Sequence, residues 1–137
     1  MTMAATVSSP VRARDVMNTD VHFIDGMATA AEAALKMKNE HTTTLIVEKR
    51  HDDDAWAVVV SRDIIKGVLI DDRRSERVHI YEIMSKPVVT VPPDMDIRYV
   101  ARLMERVGVR RVPVEEGGKL MGIVSQSDLI LKGNLFG

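Results

Sequence analysis

The sequence contains no cysteine, and this absence removes several kinds of chemistry at once. Disulfide frameworks, thiolate zinc sites and cysteine nucleophiles are all excluded. Aromatic residues are also scarce, since phenylalanine, tryptophan and tyrosine together make up 4% of the chain. Few side chains are therefore available to stack on single-stranded nucleic acid, which disfavours that class of binding surface.

The chain also has no large excess of positive or negative charge and no long apolar run. The formal net charge is −1, so no overall field draws the protein to nucleic acid or to an anionic membrane. No apolar run approaches the roughly 20 residues that span a bilayer. Residues 1–10 lack the basic start and apolar stretch of a secretory signal. We therefore expect a cytoplasmic protein whose residues 1–10 form a flexible N-terminus.

The side chains that perform catalysis or bind metal ions do not fall into known patterns. No nucleophile and base stand at a suggestive spacing, and no glycine-rich phosphate loop is present. His51 is followed by three aspartates, but consecutive loop residues rarely converge on one ion. We interpret residues 51–54 as a solvated loop, and we expect no catalytic residue, no metal site and no enzyme activity.

A stripe of arginines is the one feature that suggests nucleic acid. Three members fall four residues apart on a predicted helix, and a fourth lies just before the next strand: Arg98, Arg102, Arg106 and Arg110. Asp96 and Glu105 dilute this positive charge, and the net charge of the chain is near zero. A solvated or dimer-facing stripe is therefore favoured over a nucleic-acid surface.

What the sequence does contain is an internal repeat. The tripeptide Asp15-Val16-Met17 recurs 67 residues later as Glu82-Ile83-Met84, and the same offset carries Met37 onto Met104. Asp63 and Asp128 are separated by 65 residues, so the first copy has two extra residues. We place these two residues in the stretch 49–55, which is typical of a hairpin loop.

Each copy follows one pattern of apolar spacing. Two helix faces at i, i+3, i+4 and i+7 are predicted, one with Ala30, Ala33, Ala34 and Met37, the other with Ile97, Val100, Ala101 and Met104. Pro92-Pro93-Asp94 predicts the turn and the start of the second of these helices. The predicted strands are 21–24, 43–48 and 56–60 in the first copy, and 88–91, 111–115 and 120–124 in the second. Closing helices are predicted at 61–70 and 125–132.

The predicted fold class is therefore α+β, with two tandem β-α-β-β-α repeats. The first repeat is placed at residues 11–70 and the second at residues 78–133, joined by a charged and solvated linker. Neither copy, at about 60 residues, buries much apolar surface by itself. We expect the two repeats to pack sheet against sheet with pseudo-twofold symmetry, as one module.

Four motifs in this order resemble the tandem CBS pair, named after the regulatory domains of cystathionine β-synthase. They are Val16-Met17 with Ile83-Met84, Val89-Thr90-Val91-Pro92-Pro93-Asp94, Val109-Arg110-Arg111-Val112-Pro113-Val114, and Gly122-Ile123-Val124-Ser125-Gln126-Ser127-Asp128-Leu129. The resemblance implies a regulatory module that performs no chemistry. It also implies dimerisation and clefts between the repeats for adenosine-containing ligands such as AMP, ADP, ATP, NAD or S-adenosylmethionine.

Ser125 and Asp128 are the strongest candidates for contact with such a ligand. An ionised carboxylate can accept hydrogen bonds from two neighbouring hydroxyls, which is what a ribose presents. The resemblance implies that the aspartate of this pattern holds the ribose and that the serine lies near the phosphate or ribose. Alternatively, Ser125 caps a helix and Asp128 is the acid of its first turn. The two roles are compatible with each other.

Further contacts follow from the resemblance. Alternation along the strand places Arg110 and Arg111 on opposite faces, and Arg111 is favoured as the phosphate contact. The base of the ligand is expected near Val21, Thr42 and Thr43, through backbone groups. Alternatively, the two arginines form a solvated strand entrance, and the three other residues are ordinary strand residues.

The resemblance also implies a second, pseudo-symmetric cleft, with contacts from Asp63, Val88, Val109 and Arg110. Ala57 and Val60 stand where the second copy has Gly122 and Ser125, so this cleft lacks the hydroxyl. We therefore predict that the cleft with Ser125 and Asp128 binds first and most tightly.

Three functions stay open at this point. The favoured one is a non-catalytic adenine-nucleotide sensor that acts through a homodimer on an unidentified regulated protein. The alternatives are a dimerisation or interaction scaffold with vestigial clefts, and a nucleic-acid-contacting accessory protein. The homodimer is also suggested by an alanine-rich first helix, because small side chains allow helices to approach closely.

Overall fold

The computed structural model describes residues 10–86 and 88–135. The flexible N-terminus predicted for residues 1–10 lies outside the described residues except for Pro10. The helices are α1 (Ala13–Val16), α2 (Ala30–Glu40), α3 (Ser61–Ile64), α4 (Ile80–Ile83), α5 (Ile97–Val107) and α6 (Gln126–Lys132). The strands are β1 (Phe23–Ile24), β2 (Thr44–Val47), β3 (Ala57–Val60), β4 (Arg111–Glu116) and β5 (Lys119–Ser125). A π-helical turn, Ile65–Ile70, continues α3, and Ser75–Arg77 is a 3-10 turn.

The described chain divides into two compact units, and neither coincides with one sequence repeat. The central unit is Val21–Val88, and the terminal unit combines the described residues before Val21 with those after Val88. Backbone hydrogen bonds explain this division. The Ala13 N–H donates to the carbonyl of Met95 at 2.8 Å, and the Ile80 N–H donates to the carbonyl of Ala28 at 2.9 Å. Each repeat therefore contributes its short first helix to the unit that contains the rest of the other repeat.

The short helices α1 and α4 were not predicted, although the recurring tripeptides fall on them. Each helix is fixed by an acid in its first turn. The Asp15 carboxylate accepts the Arg12 N–H at 2.8 Å, and the Glu82 carboxylate accepts the His79 N–H at 2.9 Å. Such bonds satisfy one of the backbone donors that a helix start leaves without a partner.

The central unit contains a three-stranded sheet in the order β1-β2-β3. β1 runs parallel to β2, with Ile24 opposite Val47, and β2 runs antiparallel to β3, with Thr44 opposite Val60. One face of the sheet forms the core of this unit with α2 and α4, and its buried residues include Leu45, Val59 and Ile80.

The terminal unit contains the antiparallel pair β4-β5, with Arg111 opposite Ser125. The strand predicted at residues 88–91 is reduced to one parallel bridge between Val91 and Val114. The core of this unit includes Val100, Met104 and Val124.

The two long helices bury a narrower stripe than the spacing predicted. Ala30, Ala33 and Met37 are buried on α2, and Ile97, Val100 and Met104 are buried on α5. Ala34 and Ala101, the i+4 members of the predicted faces, are exposed. The helix predicted to start at Pro92-Pro93-Asp94 begins later, because Asp96 is the N-cap and its carboxylate accepts the Arg98 N–H at 2.8 Å.

Candidate functional site

The Ser125–Asp128 pair lies where β5 meets α6. The Ser125 hydroxyl oxygen accepts the Asp128 N–H at 3.1 Å, and the Asp128 Oδ2 accepts the Ser125 N–H at 2.9 Å. The same Oδ2 also lies 2.9 Å from the Ser125 Oγ. These bonds form the reciprocal cap that the sequence pattern allowed. The structural role of the pair is therefore present, and any ligand role must be compatible with it.

The second carboxylate oxygen of Asp128 faces Lys132. The Lys132 Nζ lies 3.3 Å from the Asp128 Oδ1, at i,i+4 spacing, and the Lys132 side chain is 47% exposed. An ion pair whose cation is so exposed contributes little to stability. A ribose hydroxyl can therefore replace Lys132 at Oδ1 without breaking the cap at Oδ2. Sequence reasoning missed Lys132, although its spacing from Asp128 was the available signal.

Arg111 lies beside this pair because of the strand register. Residues directly opposite each other in an antiparallel pair project their side chains to the same face, and Arg111 is opposite Ser125. Within residues 10–86 and 88–135, the Arg111 guanidinium has no ion-pair partner. The terminal unit therefore brings together three of the predicted residues: Ser125, Asp128 and Arg111.

Arg110 and Val109 lie just before β4. Arg110 is exposed, and its carbonyl accepts the Gln126 N–H at 2.9 Å, which ties this position to the start of α6. Val109 is half-buried against the core of the terminal unit. Val109 therefore has a packing role, while the Arg110 side chain extends into solvent.

The residues predicted to lie near the base belong to the central unit. Val21 precedes β1, and Thr42 and Thr43 precede β2. The Thr42 hydroxyl accepts the Thr44 N–H at 3.2 Å, and the Thr43 carbonyl accepts the Ser61 N–H at 3.0 Å. Their role as base contacts stays a prediction.

Asp63 repeats half of the cap that Asp128 makes. Its Oδ2 accepts the Val60 N–H at 2.8 Å, but Val60 has no hydroxyl to complete the cap. The Val88 N–H donates to the carbonyl of Trp56 at 3.1 Å, next to the start of β3, whereas Asp63 follows the end of β3. Asp63 and Val88 are therefore at opposite ends of β3 within the central unit, and the second cleft stays a prediction.

Residues 51–54 were interpreted as a solvated loop. His51, Asp52 and Asp53 are exposed, but Asp54 is not. The Asp54 side chain is only 7% exposed and forms an ion pair with Lys86. This Lys86 ammonium, together with the N–H of Arg50, holds the pKa of the Asp54 carboxyl well below its usual range. Asp54 is a functional candidate that the sequence did not reveal, because its partner is 32 residues away.

The predicted arginine stripe can also be compared with the structure. Arg98 is bonded to Asp96, with the Arg98 Nη2 at 2.9 Å from the Asp96 Oδ2, and Arg102 lies over the Tyr99 ring. Both arginines thus have partners within the helix region.

Among the described residues, no group of three or more histidine, aspartate or glutamate side chains is arranged to bind a metal ion. None of the described helices is long and apolar enough to cross a membrane.

The fold, the repeat and the cap at Ser125 define the class of protein. The family model for the CBS domain matches residues 13–70 and again residues 80–133. The chain belongs to the CBS domain family, and it carries two such domains in tandem.

Relatives of known structure share the fold across nearly the whole chain. The structure of a hexameric CBS-CP12 protein from bloom-forming cyanobacteria has a TM-score of 0.88 and 38% identity, covering 93% of this chain and 75% of that one. A putative signal-transduction protein with CBS domains from Burkholderia ambifaria has a TM-score of 0.77 and 25% identity, covering 88% and 91%.

A relative by sequence, an uncharacterized protein of Methanopyrus kandleri, is 34% identical over 85% of this chain. The chain spans 59% of the length of that protein. Another, the uncharacterized protein YlbB of Bacillus subtilis, is 30% identical over 86% of this chain and 79% of that protein.

These findings confirm the α+β fold and the tandem CBS arrangement that the motifs predicted. CBS domains generally serve as regulatory modules, and they commonly bind adenine nucleotides. No catalytic family is indicated for the chain.

Proposed function

We propose that this protein is a non-catalytic sensor of an adenosine-containing ligand, of the class that includes AMP, ADP, ATP, NAD and S-adenosylmethionine. The observation that carries the proposal is the register of β4 and β5. It sets an unpaired guanidinium, Arg111, on the same face as Ser125, whose hydroxyl is bonded to Asp128. A planar guanidinium suits a phosphate, and a carboxylate suits a ribose diol.

The ligand class is tested by thermal unfolding in the presence of the five compounds one at a time. A ligand at 100 times its dissociation constant adds about 2.7 kcal/mol of stability to the folded state. For a domain of this size we expect the melting temperature to rise by several degrees. If none of the five compounds shifts the melting temperature, the sensor proposal is wrong.

The site itself is tested by calorimetry on two matched variants, Asp128→Ala and Asp63→Ala. Loss of Asp128 removes charge-assisted hydrogen bonds worth about 1.5–3 kcal/mol, which is about a 10- to 100-fold loss in affinity. Asp63→Ala should cost less, because Asp63 lies in the other unit and Val60 supplies no capping hydroxyl beside it. Circular dichroism must first show that both variants are folded. A tight site that survives Asp128→Ala but not Asp63→Ala contradicts the assignment.

The sensor acts, in this proposal, through a homodimer on a partner protein. Two alanines of the predicted dimer helix, Ala30 and Ala33, are buried inside the central unit and cannot serve a dimer. Exposed apolar side chains on the closing segments are the better candidates: Leu69 is 73% exposed, Ile70 71% and Leu131 79%. Exposed apolar side chains mark interaction sites where they form a contiguous patch. Light scattering should give a mass of at least twice 15.3 kDa at micromolar concentration, and a monomer mass would contradict the dimer.

Absence of turnover is part of the same proposal. Incubation of the pure protein with ATP or NAD, followed by chromatography, should return the compound unchanged. Hydrolysis that exceeds the amount of protein would contradict a purely regulatory role.

A further inference from the structure

A cavity of about 510 Å³ lies within the central unit. Among the residues that line it are Asp25, Met27, Glu48, Asp54, Tyr81 and Lys86. It is at the end of the sheet where β1 and β2 finish and β3 begins. Val21, Thr42 and Asp63 are at the other end, so this cavity is separate from the predicted nucleotide contacts. Its volume falls in the range of about 300–1,000 Å³ that small-molecule sites occupy.

The cavity depends on features that distinguish the first repeat from the second. Gly26 lines it, whereas the equivalent residue of the second repeat is Pro93, which is buried. The two extra residues of the first repeat fall in the hairpin 49–55, and this longer hairpin supplies Asp54. The small side chains of Ala55 and Ala57 line the cavity as well.

The two basic side chains that line the cavity, Lys86 and Arg50, share one carboxylate, Asp54. Asp54 forms an ion pair with Lys86 and also accepts the Arg50 N–H at 3.0 Å and the Ala55 N–H at 2.9 Å. The Arg50 Nε lies 3.3 Å from the same carboxylate. Both cations are thus paired with Asp54, and the Arg50 side chain is 78% exposed, so solvent screens much of its charge.

The remaining charged groups are two carboxylates placed side by side by the parallel register. Ile24 is opposite Val47, so Asp25 and Glu48 follow adjacent strand ends. One oxygen of Asp25 accepts the Met27 N–H at 2.8 Å. In the part of the chain that the structure describes, neither carboxylate has an ion-pair partner. The charged residues that line the cavity are three carboxylates and two cations, so its net charge is −1.

The rest of the cavity includes apolar side chains, among them two methionines and one aromatic ring. Met27, Met84 and Tyr81 line it, and His79 stacks on the Tyr81 ring with centroids 5.5 Å apart. The stacking holds the ring in position. A cation next to a tyrosine ring gains electrostatic stabilisation from the ring, and thioethers adapt to irregular apolar groups.

We infer that this cavity is a second ligand site, which binds a small organic ammonium ion carrying an apolar group. The ammonium contacts Asp25 and Glu48, and the apolar group lies against Tyr81 and the methionines. The inference is independent of the proposed nucleotide site, because it uses no residue of that site.

Three probes of one shape and different charge test the inference: phenethylammonium, phenethyl alcohol and 3-phenylpropionate. Binding is followed on the full chain by amide chemical shifts in nuclear magnetic resonance. We expect phenethylammonium to bind at millimolar concentration or below and to shift the amides of Gly26, Ala55 and Ala57. The alcohol should bind about tenfold more weakly, because it lacks the charge-assisted bond. The carboxylate should not bind.

The matched variants are Glu48→Gln and Glu115→Gln, which occupy equivalent positions in the two repeats. Glu48 is exposed, so its replacement leaves the fold intact. Glu48→Gln should weaken phenethylammonium binding about tenfold, and Glu115→Gln should leave it unchanged. The inference is overturned if phenethylammonium fails to bind, if the alcohol or carboxylate binds as tightly, if the shifts fall elsewhere, or if Glu48→Gln has no effect.

Discussion

The terminal and central units contain equivalent elements of the duplicated sequence, and one difference between them lies where the last strand meets the closing helix. In both units an acid in the first turn accepts the N–H of the N-cap residue. Asp128 accepts the Ser125 N–H at 2.9 Å, and Asp63 accepts the Val60 N–H at 2.8 Å. Only the terminal unit adds a hydroxyl, Ser125, and an arginine opposite it, where the central unit has Val60 and Thr44. The shared acid supports the backbone, and the groups that differ are those suited to a ligand.

At the other end of the sheets the difference is reversed. The central unit has Gly26, a longer hairpin and a cavity, whereas the terminal unit has Pro93 and the short turn at Gly117 and Gly118. The two units thus differ from each other at both ends of their sheets. Variants that exchange residues between equivalent positions can test whether this specialisation is real.

The largest effects are expected in the two cores. Val100 on α5 corresponds to Ala33 on α2, and both are fully buried. Val100→Ala should cost about 2–3 kcal/mol through lost burial and a cavity. Ala33→Val should cost about 1–3 kcal/mol through overpacking. Urea unfolding measures both changes, and two neutral exchanges would show that the cores are interchangeable.

An effect similar to that of Ala33→Val is expected at the glycine of the last strand. A Cβ on Gly122 would lie 2.8 Å from the carbonyl oxygen of Asn18, whereas the central unit accommodates Ala57 at the equivalent position. Gly122→Ala should therefore destabilise the protein by about 1–3 kcal/mol. The reverse exchange, Ala57→Gly, should cost about 1 kcal/mol. Equal costs in thermal unfolding would mean that the backbone near Asn18 yields easily.

The closing helices allow a test of opposite sign. Ser125→Ala should cost about 1 kcal/mol, because it removes the hydroxyl that accepts the Asp128 N–H. Val60→Thr should stabilise the central unit by up to about 1 kcal/mol, because a threonine can accept the Asp63 N–H. Differential scanning calorimetry of each variant decides, and a destabilising Val60→Thr would show that Val60 packing outweighs capping.

The smallest effect concerns the caps of the long helices. Arg98 holds the pKa of Asp96 at about 2, below its ordinary value, whereas the N-cap of α2 is the uncharged Thr29. A lowered pKa in the folded state stabilises the protein above about pH 4, and this contribution is lost as the pH falls towards 2. Asp96→Asn keeps a cap but not the charge, so its deficit in melting temperature at pH 7 should vanish near pH 2. Thr29→Ser serves as the control, with a deficit that does not depend on pH.

Much of the fold could be predicted because the duplication doubles each weak signal. The helix around Met104 was supported by the same spacing around Met37, and Ser125 with Asp128 predicted the cap that the structure shows. The short helices α1 and α4 were missed because four residues are too few to show a helical period. The division into units was missed because it depends on pairings such as Ala13 with Met95, which local patterns do not encode.

The candidate site was predictable to the same extent. Arg111 could be selected by resemblance, but its position opposite Ser125 follows from a register that the hairpin sets. Asp54 was read as part of a solvated loop because the sequence gives no sign of Lys86. Long-range ion pairs of this kind depend on the tertiary fold, so composition and spacing cannot reveal them.

The exchange of first helices between the repeats has a consequence for the order of folding. The central unit is one continuous stretch, so it can form as soon as Val88 has left the ribosome. The terminal unit joins Ala13 to Met95, and it must wait while the chain between them is synthesised. Closing so long a loop costs entropy, which a compact central unit reduces by bringing the loop ends closer together. During synthesis the central unit can thus be folded before α1 gains the rest of the terminal unit as its partner.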